Sequence, residues 1–401
     1  MRIVVSDYSG HPFQVQLSRE LARQGHQVCH VFSEVFQTPK GKLQRSADDP
    51  EGFSIVGVRT RAPFAKHSFV KRRGQELEIG KRIGEVIARF NPDVVLSSNA
   101  PLDAQRRILA ATRRARARFV FWVQDIYSAA ITKVLDDKLG FPGRLIGKHY
   151  QRLEARLLAA SDHIVAIAQD FVPELISLAS VPASRIAVIE NWAPLDELVQ
   201  WPRDSDWAQE NLPDSAFRII YSGTLGFKHN PELLVHLAKG IDGEVIVFSE
   251  GPAADSLRQQ AETLGIANLH VRGWLPFDEL SKALSGADAL VVILEPEAGI
   301  YSVPSKVLTY LCAGKAILGA IPSQNLAARL ISEVGAGLVV TPTDSTALVP
   351  AAAALAMDAD RRTAMGMAAR RYAEATFDVE AIARRFESVF EANVTHKESN
   401  R

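Results

Sequence analysis

The chain has 401 residues, 47% of them apolar and 23% charged, the make-up of an ordinary globular protein long enough for two domains with substantial cores. Its 46 basic and 46 acidic residues cancel, but unevenly, with roughly 28 basic against 21 acidic residues in positions 1–200 and roughly 18 against 25 in the remainder. Cys29 and Cys312 lie in different halves, which excludes a disulfide framework or a zinc cluster and fits a reducing cytoplasm; no apolar run approaches the roughly 18 residues of a spanning helix, and "MRIVVSDYSG" is too short for a signal peptide, so membrane association is expected to be peripheral, at the inner face.

The first 33 residues predict strand "RIVVS", loop "DYSGHPF", amphipathic helix "QVQLSRELARQG" with Gly25 as its stop, and strand "QVCHVFS". Further apolar runs follow at "FSIVGV", "DVVLSS", "RFVFWV", "HIVAIA" and "IAVIEN", separated by segments of crossover length. That is the grammar of a parallel sheet covered by helices on both faces. The Pro-, Asp- and Trp-rich stretch from Asn191 to Phe217 is the best candidate linker. The pattern then restarts, with strands at "RIIYSG", "EVIVFSEG", "LHVRGW", "ADALVVILEP", "KAILGAI" and "GAGLVV". Two α/β, doubly wound parallel-sheet domains in tandem are therefore expected, over residues 1–198 and 199–377, with a last amphipathic helix at 378–395 returning to the first domain.

Ligands of open parallel sheets bind outside the carboxyl ends of the strands. Two strand-to-helix loops of the second domain draw attention there. "YSGTLGFKHNPELL" has Gly223 and Gly226 in a tight turn, then Lys228, with Asn230 as expected cap and Pro231 at the first helical position. "EPEAGIYSVPSKVL" ends with Pro304, Ser305 and Lys306 at a helix start. A lysine in a first helical turn is unfavourable by about 0.3–1 kcal/mol unless an anion joins it; two such lysines at one sheet edge suit a diphosphate, the plain alternative being that each points to solvent. G-x-G-x-x-G is missing after the first strand and there is no P-loop, so a nicotinamide cofactor is unsupported. Asp48 with Asp49, and Asp136 with Asp137, read as solvated loop charge. Neither a cofactor nor a bound metal is expected.

The segments "RQGHQV", "YSGTLGFKHNPELL", "SEGPAADSLRQQAETLG", "HVRGWLPFDELSKALSGADALVVIL" and "SVPSKVLTYLCAGKAIL" resemble the family 4 glycosyltransferases, retaining enzymes of the GT-B fold, and within them the bacterial exopolysaccharide and O-antigen transferases of colanic-acid or fucosaminyltransferase type. The resemblance implies two Rossmann-like domains facing a central cleft and a nucleoside-diphosphate sugar, UDP- or GDP-linked, held mainly by the second. It implies that Gly223, Thr224 and Lys228 meet the diphosphate, Thr224 standing where many relatives have arginine. Glu250 and Gly251 match a "G-D/E-G-P" turn in which Ser249 replaces the first glycine, and Trp274 and Leu275 lie where backbone holds the base. Ser302, Val303, Pro304, Ser305 and Lys306 fall beside the diphosphate and the donor sugar.

Many relatives carry two glutamates in this last region; here Tyr301 and Thr309 stand in their places, and Glu295 and Glu297 are out of register. Thr309 can still hydrogen-bond a ribose hydroxyl, without charge assistance. In the first domain the resemblance places Gly10 and His11 in the loop near the donor phosphates and acceptor, a loop histidine at the surface being the equal alternative. Asp125, after "FWVQ", is the candidate for the reacting sugar's hydroxyls, or else the cap of the next helix.

For such a transfer Lys228, Lys306 and the two helix N-termini would stabilise the leaving diphosphate. The resemblance implies front-face attack, with a donor phosphate oxygen accepting the acceptor's proton. The expected acceptor is a lipid-linked or polysaccharide-precursor sugar. The basic runs "RTRAPFAKHSFVKRRGQ" and "QRRILAATRRARARF" carry no nucleic-acid motif and suit an anionic membrane surface, or solvated helix faces. Two rival functions share the donor class: a nucleotide-sugar 2-epimerase, and a non-catalytic scaffold that binds the sugar nucleotide.

Overall fold

A computed structural model describes residues 1–35, 42–62, 69–226, 229–296 and 305–392. The chain forms two compact units, Met1–Asn191 joined by the chain from Val379, and Trp192–Asp378. Lys228, Ser302, Val303 and Pro304 lie outside the described residues, as do Glu297 and Tyr301.

The first unit alternates strand and helix: β1 (Arg2–Asp7), α1 (Pro12–Arg23), β2 (Gln27–Ser33), β3 (Phe53–Val58), α2 (Phe69–Phe90), β4 (Val94–Ser98), α3 (Leu102–Arg114), β5 (Arg118–Val123), α4 (Tyr127–Leu139), α5 (Phe141–Ala159), β6 (His163–Ala166), α6 (Phe171–Ala179) and β7 (Ile186–Val188). The strands form one parallel sheet in the order β3-β2-β1-β4-β5-β6-β7. Its central strands are continuously apolar because both faces are covered: Ile3, Val4, Val5, Val95 and Leu96 are fully buried. Gly25, just past the α1 cap at Gln24, takes a φ of 92°, the left-handed exit that a side chain would strain.

In the second unit α7 (Asp206–Asn211) precedes β8 (Arg218–Ser222), α8 (Glu232–Gly240), β9 (Glu244–Phe248), α9 (Pro252–Thr263), β10 (Leu269–Arg272), α10 (Phe277–Ser285), β11 (Ala289–Ile293), α11 (Ser305–Ala313), β12 (Ala316–Ala320), α12 (Leu326–Val334), β13 (Gly337–Val340), α13 (Ser345–Met357) and α14 (Ala359–Thr376). Its parallel sheet has the order β10-β9-β8-β11-β12-β13. Both sheets are doubly wound, with the order reversing between β1 and β4 in the first and between β8 and β11 in the second.

The last helix, α15 (Val379–Glu391), completes the first unit: the Phe386 ring centroid lies 4.8 Å from that of Trp122, and Arg118 donates to the carbonyl of Phe390 at 2.5 Å. Three expectations need correction. The stretch from Asn191 to Phe217 is not an open linker, since Trp192 and Leu198 are buried and Arg203 makes a two-pronged ion pair with Asp288 at 3.0 and 2.9 Å. Asp49 is not solvated: Arg19 donates to it at 2.6 Å. Asp136 and Asp137 lie in α4 rather than a loop, Asp136 accepting from Arg144 at 2.7 Å.

Candidate active site

The second sheet opens at its reversal. β8 and β11 pair only as far as Ile220 and Leu290, and beyond that point the Tyr310 hydroxyl from α11 fills the gap, accepting the amide of Ser222 at 2.9 Å and lying 3.4 Å from the Val291 carbonyl. A crevice at a reversal of strand order is where such sheets hold ligands.

Two loops frame it. After β8, Gly223 has a φ of 136° and its amide donates to Phe248 at 3.0 Å. The Leu225 amide reaches the Ser249 hydroxyl at 3.3 Å, and the Gly226 amide reaches His229 Nδ1 at 3.0 Å. Asn230 is not the cap residue of α8, a position Pro231 holds, but its side chain accepts the Glu232 amide at 3.1 Å and does the cap's work. Thr224 is exposed, and its carbonyl accepts the Tyr221 hydroxyl at 2.9 Å.

From the other side α11 brings Ser305, exposed, and Lys306, half-buried, in its first turn. The Lys306 ammonium does not point away into solvent. It donates to the Tyr221 hydroxyl at 2.5 Å and sits 4.0 Å from the centroid of that ring. Burial lowers the ammonium from 10.5 to about 7, and among the described residues no carboxylate pairs with it. A Cβ on Gly223 would lie 3.2 Å from Lys306 Cε and 3.5 Å from Nζ, so the glycine both permits the positive φ and leaves the cation its space. Thr309 is half-buried one turn further along α11.

The neighbouring strand ends add the rest of this edge. Glu250 is exposed after β9, and its Oε1 accepts the Trp274 amide at 3.2 Å, tying the loop after β9 to the one after β10. Gly251, with a φ of 100°, is the N-cap of α9. Trp274 and Leu275 are half-buried, and the indole N–H of Trp274 is screened from solvent with no acceptor among the described residues. Gly223, Thr224, Glu250, Gly251, Trp274, Leu275, Ser305, Lys306 and Thr309 thus share the carboxyl edge of one sheet. A separate cavity of about 540 Å³, lined by Arg203, Lys315 and Arg362 among others, opens at the amino ends of β11 and β12, the opposite edge.

The first unit's reversal carries a second cluster. Gly10, with a φ of 78°, leads into His11, the N-cap of α1. Asp7, fully buried at the end of β1, accepts the amides of Ser9 at 3.1 Å and of His11, and the His11 ring lies 3.5 Å from its Oδ1. Burial pushes the Asp7 carboxyl up, but the His11 hydrogen bonds and the charges of His11 and His30 outweigh it and hold the group below 3.8. From β4's end Asn99, with a φ of 55°, brings its amide nitrogen within 3.4 Å of His11 Nδ1. Asp125 is half-buried after β5. It does not cap α4: Ile126 holds that position, and Glu154 from α5 accepts the amides of Tyr127 at 3.0 Å and Ser128 at 2.9 Å. Burial raises the Glu154 carboxyl, against those hydrogen bonds and with the charge of Asp125.

Tyr221, Tyr310, Asp7, Asn99 and Glu154 were not singled out from the sequence. A signal existed for Tyr221 and Asn99, a polar residue closing an apolar strand just before a turn, as in "IIYSG" and "VVLSSN". None existed for Tyr310, whose hydroxyl matters only because the sheet opens there. Among the described residues no group of three or more His, Cys, Asp or Glu is placed to hold a metal ion.

Comparisons with known proteins agree in kind. The family model described as Glycosyltransferase Family 4 matches residues 13–197, and that described as Glycosyl transferases group 1 matches residues 202–372. WcaI of Escherichia coli (strain K12), assigned by name as a colanic acid biosynthesis glycosyl transferase, is 25% identical over 310 residues, 74% of either chain. Among solved structures, sucrose-phosphate synthase from Thermosynechococcus elongatus superposes with a TM-score of 0.74 at 14% identity, covering 97% of this chain and 98% of the other. HepE of Anabaena, solved in complex with UDP and glucose, gives 0.70 at 15% identity, covering 98% and 100%. The structural likenesses speak for the fold; with the two family models spanning nearly the whole sequence, the chain belongs to glycosyltransferase family 4, of the GT-B fold.

Proposed function

We propose that the protein transfers a sugar, with retention of configuration, from a nucleoside-diphosphate sugar, UDP- or GDP-linked, to a hydroxyl of a lipid-linked or polysaccharide-precursor acceptor. One observation carries the reading: Lys306, in the first turn of α11, is held against Tyr221 beside Gly223 at the sheet's reversal, lowered to about 7 by burial and with no carboxylate partner among the described residues. A diphosphate supplies the missing negative charge, and the α11 N-terminus reinforces it. The UDP and glucose named with the Anabaena HepE structure support a nucleotide-sugar donor.

In the transfer the bond from the anomeric carbon to the donor's phosphate oxygen breaks, its electron pair leaving with the nucleoside diphosphate. The acceptor oxygen bonds that carbon from the same face, and the acceptor's proton passes to the departing phosphate oxygen. Lys306 and Lys228 stabilise the charge that develops on that phosphate. Thr224 and Ser305 serve the same phosphate, a role the sequence resemblance also gives to Ser302, Val303 and Pro304. Thr309 serves the ribose, and Glu250 and Gly251, with the Trp274 and Leu275 backbone, serve the sugar nucleotide. Gly10 and His11 serve the donor phosphates and the acceptor, and Asp125 the reacting sugar's hydroxyls. Because Glu154 makes the α4 cap, Asp125 is not needed for that task. In the lipid-linked case the acceptor is met at the inner face of an anionic membrane.

The test is a panel of uridine and guanosine diphospho-sugars incubated with and without membrane lipid extract, following nucleotide release. Release that requires the extract supports the transferase. Interconversion of the sugar without acceptor would make the protein a 2-epimerase, and binding with no turnover would make it a scaffold.

A further inference from the structure

α5 buries one face, with Gly147, Tyr150, Leu153, Glu154 and Leu157 turned inward. On the opposite face Phe141, Leu145, Lys148, Arg152 and Arg156 follow at steps of four, three, four and four residues. At 3.6 residues per turn this keeps them within an arc of roughly 80° over about 22 Å. All five are exposed, Phe141 at 71% and Leu145 at 55%, the highest exposure of any large apolar side chain described in this unit.

Within the basic runs Arg59, Arg72, Arg73, Arg106 and Arg113 are each paired with a carboxylate, so part of that charge is already answered inside the unit. Among the described residues Lys71, Arg107, Arg114 and Arg116 are exposed without an ion pair, but carry no large exposed apolar side chain beside them. Lys148, Arg152 and Arg156 have no hydrogen-bonding or ionic partner among the described residues. The one acid of α5, Glu154, is 2% exposed and faces the Tyr127 and Ser128 amides. The outer face therefore carries two uncovered apolar groups at one end, three unanswered cations along it and no acid of its own, Asp136 of α4 being answered by Arg144 of this helix. That is the pattern of a helix lying in a bilayer interface, and no helix described here is long and apolar enough to cross one.

We propose that α5 docks the protein on an anionic lipid bilayer along this stripe, Phe141 and Leu145 entering below the headgroups and Lys148, Arg152 and Arg156 lying among them. The proposal rests on the reading of a membrane-borne acceptor and moves the contact from the basic runs to α5. Each cation near an anionic surface strengthens binding roughly fivefold.

The test is sedimentation with vesicles of phosphatidylcholine alone and with vesicles in which about a third of the lipid is phosphatidylglycerol, without donor or acceptor. The full chain is expected to pellet with the anionic vesicles and to stay in solution with the neutral ones. Phe141→Ser with Leu145→Ser should lower the partition at least about tenfold, and Lys148→Gln with Arg152→Gln roughly 25-fold, while Arg106→Gln with Arg107→Gln on α3 changes it little. Unaltered circular dichroism and UDP affinity show that the variants are folded. Equal binding to both vesicles, no binding to either, variants that partition like the parent, or a dimer in solution that the Phe141 variant dissociates would each overturn the proposal. Because neither donor nor acceptor is present, docking can fail while acceptor-dependent release stands, and the reverse.

Discussion

Replacing Lys306 by methionine removes the cation while keeping the length of the side chain, and its consequences can be worked from the site. A fall of the ammonium from 10.5 to about 7 corresponds to about 5 kcal/mol between charged and neutral forms, and the solvent the half-buried side chain still meets cuts this to roughly half. A diphosphate beside the ammonium raises its value again, so binding takes up a proton wherever the free protein has lost it. With a free-protein value of about 7, the uptake is about 0.9 proton at pH 8 and about 0.1 at pH 6. The sign follows: the lysine's contribution to affinity is present below pH 7 and weakens above it, by about fivefold between pH 7 and pH 8, where the diphosphate itself is already fully ionised. Titration calorimetry of UDP, or GDP if that is the base bound, in buffers of different ionisation enthalpy reads this uptake directly. Lys306→Met should abolish the uptake and weaken binding by about 1.5–3 kcal/mol, roughly tenfold to 150-fold. The apoprotein offers a second reading. The unfolded chain holds the proton up to 10.5 and the folded one only to about 7, so stability rises with pH across that window, and Lys306→Met flattens the rise. Proton uptake at pH 8 that is the same in parent and variant would refute the reasoning.

Three further outcomes are expected. Gly223→Ala, at a φ of 136° and with its Cβ 3.2 Å from Lys306 Cε, should cost about 1–3 kcal/mol of stability in urea unfolding and weaken nucleotide binding as well; unchanged values for both would mean the turn is not held as described. Glu154→Ala leaves the Tyr127 and Ser128 amides without their acceptor and should destabilise the protein by about 1–3 kcal/mol, with α4 exchanging its first amides faster by hydrogen exchange. Asp7→Asn should cost about 1–3 kcal/mol near neutral pH. Because the folded value lies below 3.8, that stabilisation is present above 3.8 and is lost as pH falls through the folded value, so the gap from the parent should close in acid.

Much of the architecture was legible because strand burial is written in apolar runs. "RIVVS", "DVVLSS" and "ADALVVILEP" could only be strands covered on both faces, and their crossover spacing required parallel order. The glycines after strand ends marked the loops that matter, and Lys306 stood out because a lysine opening a helix asks for an anion. What could not be read was the company these residues keep. That Tyr221 receives the Lys306 ammonium depends on β8 and β11 parting beyond Ile220 and Leu290, a three-dimensional fact without a local signature. Capping by Glu154 is of the same kind, since the carboxylate arrives from 27 residues away. Asn191 to Phe217 looked like a linker because its buried groups, Trp192 and Leu198, are single residues without periodicity. The apolar positions of α5 were visible in the sequence, but that Phe141 and Leu145 share an uncovered face with three unpaired cations was not.

The central claim is that a sugar leaves a nucleoside diphosphate held at the second sheet's reversal and arrives on a membrane-borne acceptor. It is tested most directly by following a labelled sugar from its nucleotide into the lipid fraction while measuring nucleoside diphosphate released. The account predicts label entering the lipid fraction one for one with nucleotide release, falling about a hundredfold or more in Lys306→Met; label that stays water-soluble, whether or not nucleotide is released, would contradict it.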